Sequence, residues 1–334
     1  MRRTPAATRP HRDAAAIEAT ALTKAYGTVR VLDGVDLNIG RGSVFALLGP
    51  NGAGKTTTVR ILATLTPADT GQARVAGWDT VRDRARVRRV ISLTGQFAAV
   101  DGKLTGEENL RMVARLHGMP ARAARRRAAA LLERFGLTGA ARRRAESYSG
   151  GMRRRLDLAA GLVGEPQVVF LDEPTTGLDP RSRADLWEVV RELAADGTTV
   201  FLTTQYLEEA DRLADRIALI DGGRLVAQGT AAELKDRVAG HRLDLVPADD
   251  AAALRVRERT GPGSWDPGST AAPAAPGTPG EPVVSLPTDG TAAGIRALLD
   301  RADPHRCDIV RFAVRQATLD DVFLALTAKE PARA

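Results

Sequence analysis

From Ile17 to Ile39 apolar residues recur at every second position, as at Val35, Leu37 and Ile39. That spacing predicts antiparallel strands with one face in solvent. The pattern changes at 43–48, SVFALL, which is continuously apolar, as a strand covered on both faces would be. VVFL at 168–171 and TVFLTT at 199–204 repeat it. Between these two, ADLWEVVRELAADG sets Leu186, Val189, Val190 and Leu193 on one helical face. Strand, helix and strand in that order predict a parallel sheet covered by helices.

Residues 105–163 have no such strands and carry Arg- and Ala-rich helical patterns around LLERFGL, so a helical insert of about 97–163 is predicted. Further on, IALIDGGRLVAQG places a strand on each side of Asp221, Gly222 and Gly223, which is hairpin chemistry. Thr230 and Glu233 have the spacing of a capping box that opens a helix. The stretch 261–282 is rich in Pro, Gly, Ser and Ala and predicts a flexible loop. Alternating patterns at His241 to Val246 and Asp308 to Val314 flank it, with an amphipathic helix at 291–302. The closing ATLDDVFLALTA has a second capping box, Thr318 with Asp321. The predicted organisation is a disordered tail at 1–15, a first domain at 16–239, a small α/β domain at 240–328 and a tail at 329–334.

Composition narrows the chemistry. With 334 residues, 43% of them hydrophobic, the chain can bury one full core and a smaller second one. The formal charge of +7 comes from arginine far more than lysine, with arginine clusters at 125–127, 142–144 and 153–155. Such a surface could meet nucleic acid or an anionic membrane face, or be only a solvated face. No aromatic residues interleave the clusters, so nucleic acid is not the expected partner. Cys307 is the sole cysteine, which implies no disulfide framework and a reducing cytoplasm, and the four histidines lack metal-ligand spacing. The basic N-terminus lacks the apolar core of a secretory signal. Apolar runs such as VFALLG are far shorter than a membrane helix requires, so a membrane path is expected in another chain.

Directly after the buried strand at 43–48 come Gly49, Pro50, Asn51, Gly52, Ala53, Gly54, Lys55, Thr56 and Thr57, opening a helical run. The glycines let the backbone curl with its amides inward, and the following helix adds its positive end, so phosphates bind there. Lys55 would reach the β and γ phosphates and the Thr56 hydroxyl would ligate Mg²⁺. VVFLDEP then sets two carboxylates at the exit of what is expected to be a neighbouring strand. Asp172 can hold the magnesium, and Glu173 is placed to take a proton from attacking water. YSGGM at 148–152 precedes another helix, making Ser149, Gly150 and Gly151 a second anion site at a helix start.

One chain with two phosphate sites of different design resembles an ATP-binding cassette (ABC) subunit, over roughly residues 17–235. The resemblance implies an α/β phosphate-loop ATPase with a mostly parallel sheet, an antiparallel β subdomain and a helical insert. It implies two copies arranged head to tail, each ATP lying between the phosphate loop of one and the Ser-Gly-Gly signature of the other. It implies that Tyr26 stacks on adenine, although ordinary packing would also account for a tyrosine there. Gln96 would touch Mg²⁺ and the attacking water, and Asp179 in TTGLD would communicate across the dimer. Most of this family ends the strand at 199–204 on a histidine that donates to the γ-phosphate; Gln205 stands there, an amide that donates without charge or titration. Tyr148 and Met152 also depart from the usual leucine and glutamine.

GQFAAVDGKLTGEENL, LTTQYLEEA and TLDDVFLALT together resemble a narrower branch, the ATP-binding subunits of bacterial exporters for daunorubicin-like and other hydrophobic drugs. That implies an ATPase on the cytoplasmic side of the membrane, peripheral to a separately encoded integral-membrane permease. A soluble ABC ATPase acting on ribosomes or nucleic acid is the rival reading, but only one phosphate loop and no long inserted arm occur. A phosphate-loop kinase or GTPase would lack the YSGGM signature.

Overall fold

The computed structural model describes residues 15–95, 100–237, 241–261 and 283–327. Its contacts divide the chain into two compact units between Thr230 and Ala231.

In the first unit, β1 (Ala15–Tyr26) and β2 (Val29–Gly40) pair antiparallel, as the alternation requires. Ala15, expected in the leading tail, instead pairs with Gly40 and opens β1. β3 (Val44–Leu48) is buried at every position and runs through a loop into α1 (Lys55–Leu62). β4 (Thr70–Val75) and β5 (Trp78–Asp79) complete a four-stranded antiparallel sheet ordered β2-β1-β4-β5. α2 (Arg84–Val90) leads into β6 (Ile91–Thr94). The helical insert follows as α3 (Gly106–Leu116), α4 (Ala121–Arg134) and α5 (Gly150–Gly161). β7 (Val168–Asp172), α6 (Pro180–Ala195) and β8 (Thr199–Thr204) form the expected strand-helix-strand unit. After α7 (Leu207–Leu213), β9 (Arg216–Asp221) and β10 (Arg224–Gly229) close the unit as a hairpin. Its turn residues Gly222 and Gly223 both have positive φ, 51° and 80°, which suits two glycines and matches the strand twist.

The second sheet is ordered β10-β9-β3-β8-β7-β6, parallel except for β10. This order corrects one expectation: β7, which carries the acidic pair, is not the hydrogen-bonded neighbour of β3, because β8 lies between them. Adjacency follows from the α6 crossover, which sets β8 beside β7, and local periodicity carries no information on strand order. Phe45 pairs with Phe201 and Phe170 with Phe201 across the three strands, with ring centroids 5.4 and 5.6 Å apart. All three side chains are fully buried, each contributing about 1.5–3 kcal/mol. They belong to the core that one face of the parallel strands forms with β1, β2 and α1. Because β3, β6, β7 and β8 run in one direction, their carboxyl ends share one edge, where ligands of such sheets bind.

The second unit begins with α8 (Ala231–Asp236), directly after Thr230. β11 (His241–Pro247), α9 (Asp250–Thr260), β12 (Val284–Thr288), α10 (Ala292–Ala302), β13 (Ile309–Gln316) and α11 (Leu319–Thr327) follow. The sheet is antiparallel with β11 in the centre, and Leu243, Leu245, Val284 and Leu286 pack with Val256 and Ala302. The amphipathic helix and the two outer patterns appear where expected, whereas α9 and β12 were not anticipated. Thr318 and Asp321 cap α11 reciprocally, the Asp321 N–H donating to Thr318 Oγ1 and the Thr318 N–H to Asp321 Oδ2. Asp303, Cys307 and Asp308 converge, but their carboxylates are already engaged. Asp303 accepts backbone N–H bonds from Cys307, Asp308 and Ile309, and Asp308 accepts from Arg255 and Arg259. Among the described residues, no helix is long and apolar enough to cross a membrane.

Candidate nucleotide site

The loop after β3 is shaped by what surrounds it. Gly49 lies against β9, where a Cβ would sit 2.2 Å from the Ile220 carbonyl oxygen. Gly52 is free of neighbours but has φ +84°, and Gly54, at +107°, caps α1. The Ala53 N–H donates to the Pro50 carbonyl, closing the turn. Pro50, Asn51, Gly52 and Thr56 are exposed and Thr57 is half-buried, so the loop presents its outer rim to solvent. Lys55 is buried; its ammonium donates to the carbonyls of Gly49 at 2.8 Å and Pro50 at 3.1 Å and lies 3.6 Å from Glu173 Oε1. Burial holds this ammonium below its ordinary pKa, and the Glu173 charge opposes the shift. A cation beside inward-facing amides at a helix start is a site for polyphosphate.

The edges of β7 and β8 meet this loop. Thr56 Oγ1 donates to both carboxylate oxygens of Asp172, at 3.2 and 3.0 Å, and Thr203 Oγ1 donates to Oδ1 at 2.5 Å. The hydroxyl and carboxylate expected to hold magnesium therefore converge, and this all-oxygen donor set suits that hard cation. Gln96, the third expected ligand, lies outside the described residues. Glu173 has φ +49°, a strained backbone for a residue with a side chain, of the kind that collects at functional sites. Its N–H is held by the Thr203 carbonyl at 3.1 Å and hydroxyl at 3.2 Å. Gln205 is exposed where β8 ends, next after the Thr203–Thr204 pair.

The signature residues form a second group. Ser149 caps α5, its Oγ accepting from the Met152 N–H at 3.2 Å, which leaves the hydroxyl hydrogen free to donate outward. A Cβ on Gly151 would fall 2.3 Å from Ser182 Oγ, whereas Gly150 has open space. Ser182 in turn donates through N and Oγ to Asp179, the cap of α6, at 2.9 and 2.6 Å. The Ser182 hydroxyl and N–H hold the Asp179 carboxyl below its usual range. Signature and TTGLD loop are thus joined within the chain. Tyr148 is buried with its hydroxyl donating to the Ala140 carbonyl at 2.7 Å, so the ring that replaces leucine anchors the insert. Tyr26 is 48% exposed at the end of β1, with the Lys24 ammonium over its ring, 5.5 Å from the centroid.

The chain resembles known proteins over most of its length. The ABC transporter family profile matches residues 32–176. Over 318 residues the chain is 50% identical to the Daunorubicin resistance ATP-binding protein DrrA2 of Streptomyces coeruleorubidus, covering 94% of this chain and 96% of that one. It is also 50% identical over 313 residues to the Daunorubicin/doxorubicin resistance ATP-binding protein DrrA of Streptomyces peucetius, covering 93% and 92%. The chain belongs to the ABC transporter family. A solved ABC structure, a dimeric post-hydrolysis cassette bound to ADP and Pi, superposes with a TM-score of 0.59 at 25% identity, covering 64% of this chain and 98% of that one.

Three polar residues of this ABC subunit were not singled out from sequence. Thr203 orients Asp172 and Glu173, yet in a buried strand a threonine reads as β-branched filler. Arg154 was hidden inside an arginine run. Glu209 on α7 is fully buried, accepting from Thr175 Oγ1 at 3.1 Å and Trp187 Nε1 at 3.3 Å. Burial pushes its carboxyl above the usual range, against hydrogen bonds from Thr204, Trp187 and Thr175 that favour the charged form. A carboxyl raised on folding binds its proton more tightly in the native state. Its contribution is therefore complete below the ordinary value of 4.5 and lost as pH rises through the native value. Glu209→Gln keeps an acceptor and cannot ionise. Its melting temperature relative to the parent should rise as pH increases above 4.5; a constant difference would show that the carboxyl is not raised.

Proposed function

We propose that this chain is the ATP-hydrolysing subunit of an exporter that expels daunorubicin-like or other hydrophobic drugs. It would work as a head-to-tail pair on the cytoplasmic side of the membrane against a separate permease. The observation that carries the reading is the convergence of Lys55, Thr56, Asp172 and Glu173 at one sheet edge in a chain half identical to daunorubicin-resistance subunits. Lys55 and the amides of Gly52, Gly54 and Thr56 hold the β and γ phosphates, with Tyr26 against the base. Thr56 and Asp172, joined by Gln96, would hold magnesium, which when bound neutralises phosphate charge. Gln205 donates an amide N–H to the γ-phosphate, and Ser149 of the second copy donates its hydroxyl from the other side, with Gly150, which has open space, admitting the phosphate closely. Glu173 takes a proton from the attacking water. Asp179 lies at the seam between the copies.

A ribosome- or nucleic-acid-directed ATPase would use the same site chemistry but would not need a permease. Cells making this chain with a separately encoded permease should accumulate less of a fluorescent anthracycline than cells lacking either, and unchanged accumulation with intact ATP turnover would remove drug export. In the same cells Gln205→His should retain efflux, since imidazole also donates. Gln205→Ala should lose about tenfold or more of turnover. An alanine variant hydrolysing ATP at the parental rate would take Gln205 out of the site.

A further inference from the structure

We infer that Arg154 is a positioning residue that ties the signature helix to the backbone on both flanks of the water-activating groups of its own chain. Arg154 lies in the second turn of α5, behind Ser149, and its side chain is 12% exposed. Its Nε donates to the Pro174 carbonyl at 2.9 Å, and Nη1 donates to the Gly95 carbonyl at 2.7 Å. Pro174 directly follows Glu173, and Gly95 directly precedes Gln96. One planar group therefore pins the segments that carry the expected base and the expected water-side glutamine.

The chemistry selects arginine. A guanidinium offers several donors in a fixed fork, so its position relative to two carbonyls is set once both bonds form, whereas an ammonium is a single point donor. Burying a cation is costly unless it is compensated, and here Asp157 Oδ2 lies 3.6 Å from Nη1, with Asp172 and Glu209 adding attraction. The hydrogen bonds, however, go to backbone carbonyls beside the reacting groups. A second arginine of the insert does something else: the half-buried Arg127 donates to the Leu162 carbonyl at the far end of α5 and pairs with Glu165.

The consequence rests on the reading given under Proposed function. Ser149 and Gly150 begin the helix that carries Arg154, so a shift of α5 when the signature meets the second copy's nucleotide moves the guanidinium, and with it both flanking segments. Each site would then become competent for hydrolysis only when the signature of its own chain is engaged at the other site. That is a coupling between two distinct sites through one named contact.

The test uses the full chain in membranes with its permease. Arg154→Lys and Arg154→Met should lower kcat about ten- to a hundredfold with KM for ATP within about threefold of the parent. Arg127→Met, which removes a comparable insert contact, should leave kcat within about twofold. In a Glu173→Gln background, Arg154→Lys should still give an ATP-dependent dimer, because closure does not require the pinned base. Parental kcat in Arg154→Lys, a loss confined to KM, an equal kcat loss in Arg127→Met, or a missing dimer would each overturn the inference. Should Arg154→Met fail to fold, Arg154→Lys carries the decision alone. Glu173→Gln assayed alone separates the two claims: normal turnover there refutes the base, while the Arg154 comparison is still read from its own kcat and KM.

Discussion

Replacing Glu173 by glutamine is expected to lower ATP turnover by about 10²–10⁴-fold while leaving ATP binding intact. The backbone that aims this side chain does not depend on its carboxylate. Its φ of +49° is imposed by the turn out of β7, and its N–H is bound twice by Thr203. The amide therefore occupies the same place, with the same size, and cannot accept the proton of an attacking water. Loss of the 3.6 Å pairing with Lys55 removes an attraction that competes with phosphate for the ammonium, so binding should not weaken. ATP bound without hydrolysis would hold two copies together, visible as a doubled mass in size-exclusion chromatography with light scattering. Turnover at the parental rate would end the assignment of Glu173 as base.

Gly49→Ala should be nearly as damaging for a different reason. The added Cβ would meet the Ile220 carbonyl oxygen at 2.2 Å and the Ala53 Cβ at 3.3 Å. The nearest obstacle is backbone of β9, and β9 is held to β3 in parallel register by Leu47–Ala218 and Leu48–Leu219. Neither strand can retreat without breaking that pairing, so the loop must shift. A destabilisation of about 1–3 kcal/mol is expected, together with loss of binding of a fluorescent ATP analogue. Gly52→Ala meets no neighbour within 4 Å and bears only the strain of φ +84°, so it should cost about 1 kcal/mol. Equal melting of Gly49→Ala and parent would show that the close approach is not rigid.

What was legible in the sequence was what is local. The phosphate loop, the acidic pair, the glycine hairpin and the second-unit cap all rest on residues a few positions apart, and each is where the pattern placed it. The order of β3, β8 and β7 was not legible, because pairing across a crossover leaves no periodic trace, and the acidic strand was consequently put beside the wrong neighbour. In the second unit β12 escaped because Pro287 argues against a strand; it is tolerated there because β12 is an edge. α9, DAAALRVRERT, has a weak apolar face, so its periodicity does not stand out beside the Pro- and Gly-rich stretch. Thr203, Arg154 and Glu209 act through partners remote in sequence, so only the assembled fold reveals what they hold. The Gln205 reading came from resemblance, and the structure adds its exposed place at the end of β8.

The touching phenylalanines of β3, β8 and β7 have a mechanical meaning. Close-packed interiors resist compression, and these rings link the strands that deliver the lysine loop, Gln205 and the two acids. The three strands must therefore travel as one solid block, while the turn beyond β7 that carries Glu173 and Pro174 can still be drawn by α5. Whatever sets the rhythm of the cycle has to lie in the parts that slide against that block, and an enlarged or shortened ring within it would detune all three elements together without touching a nucleotide.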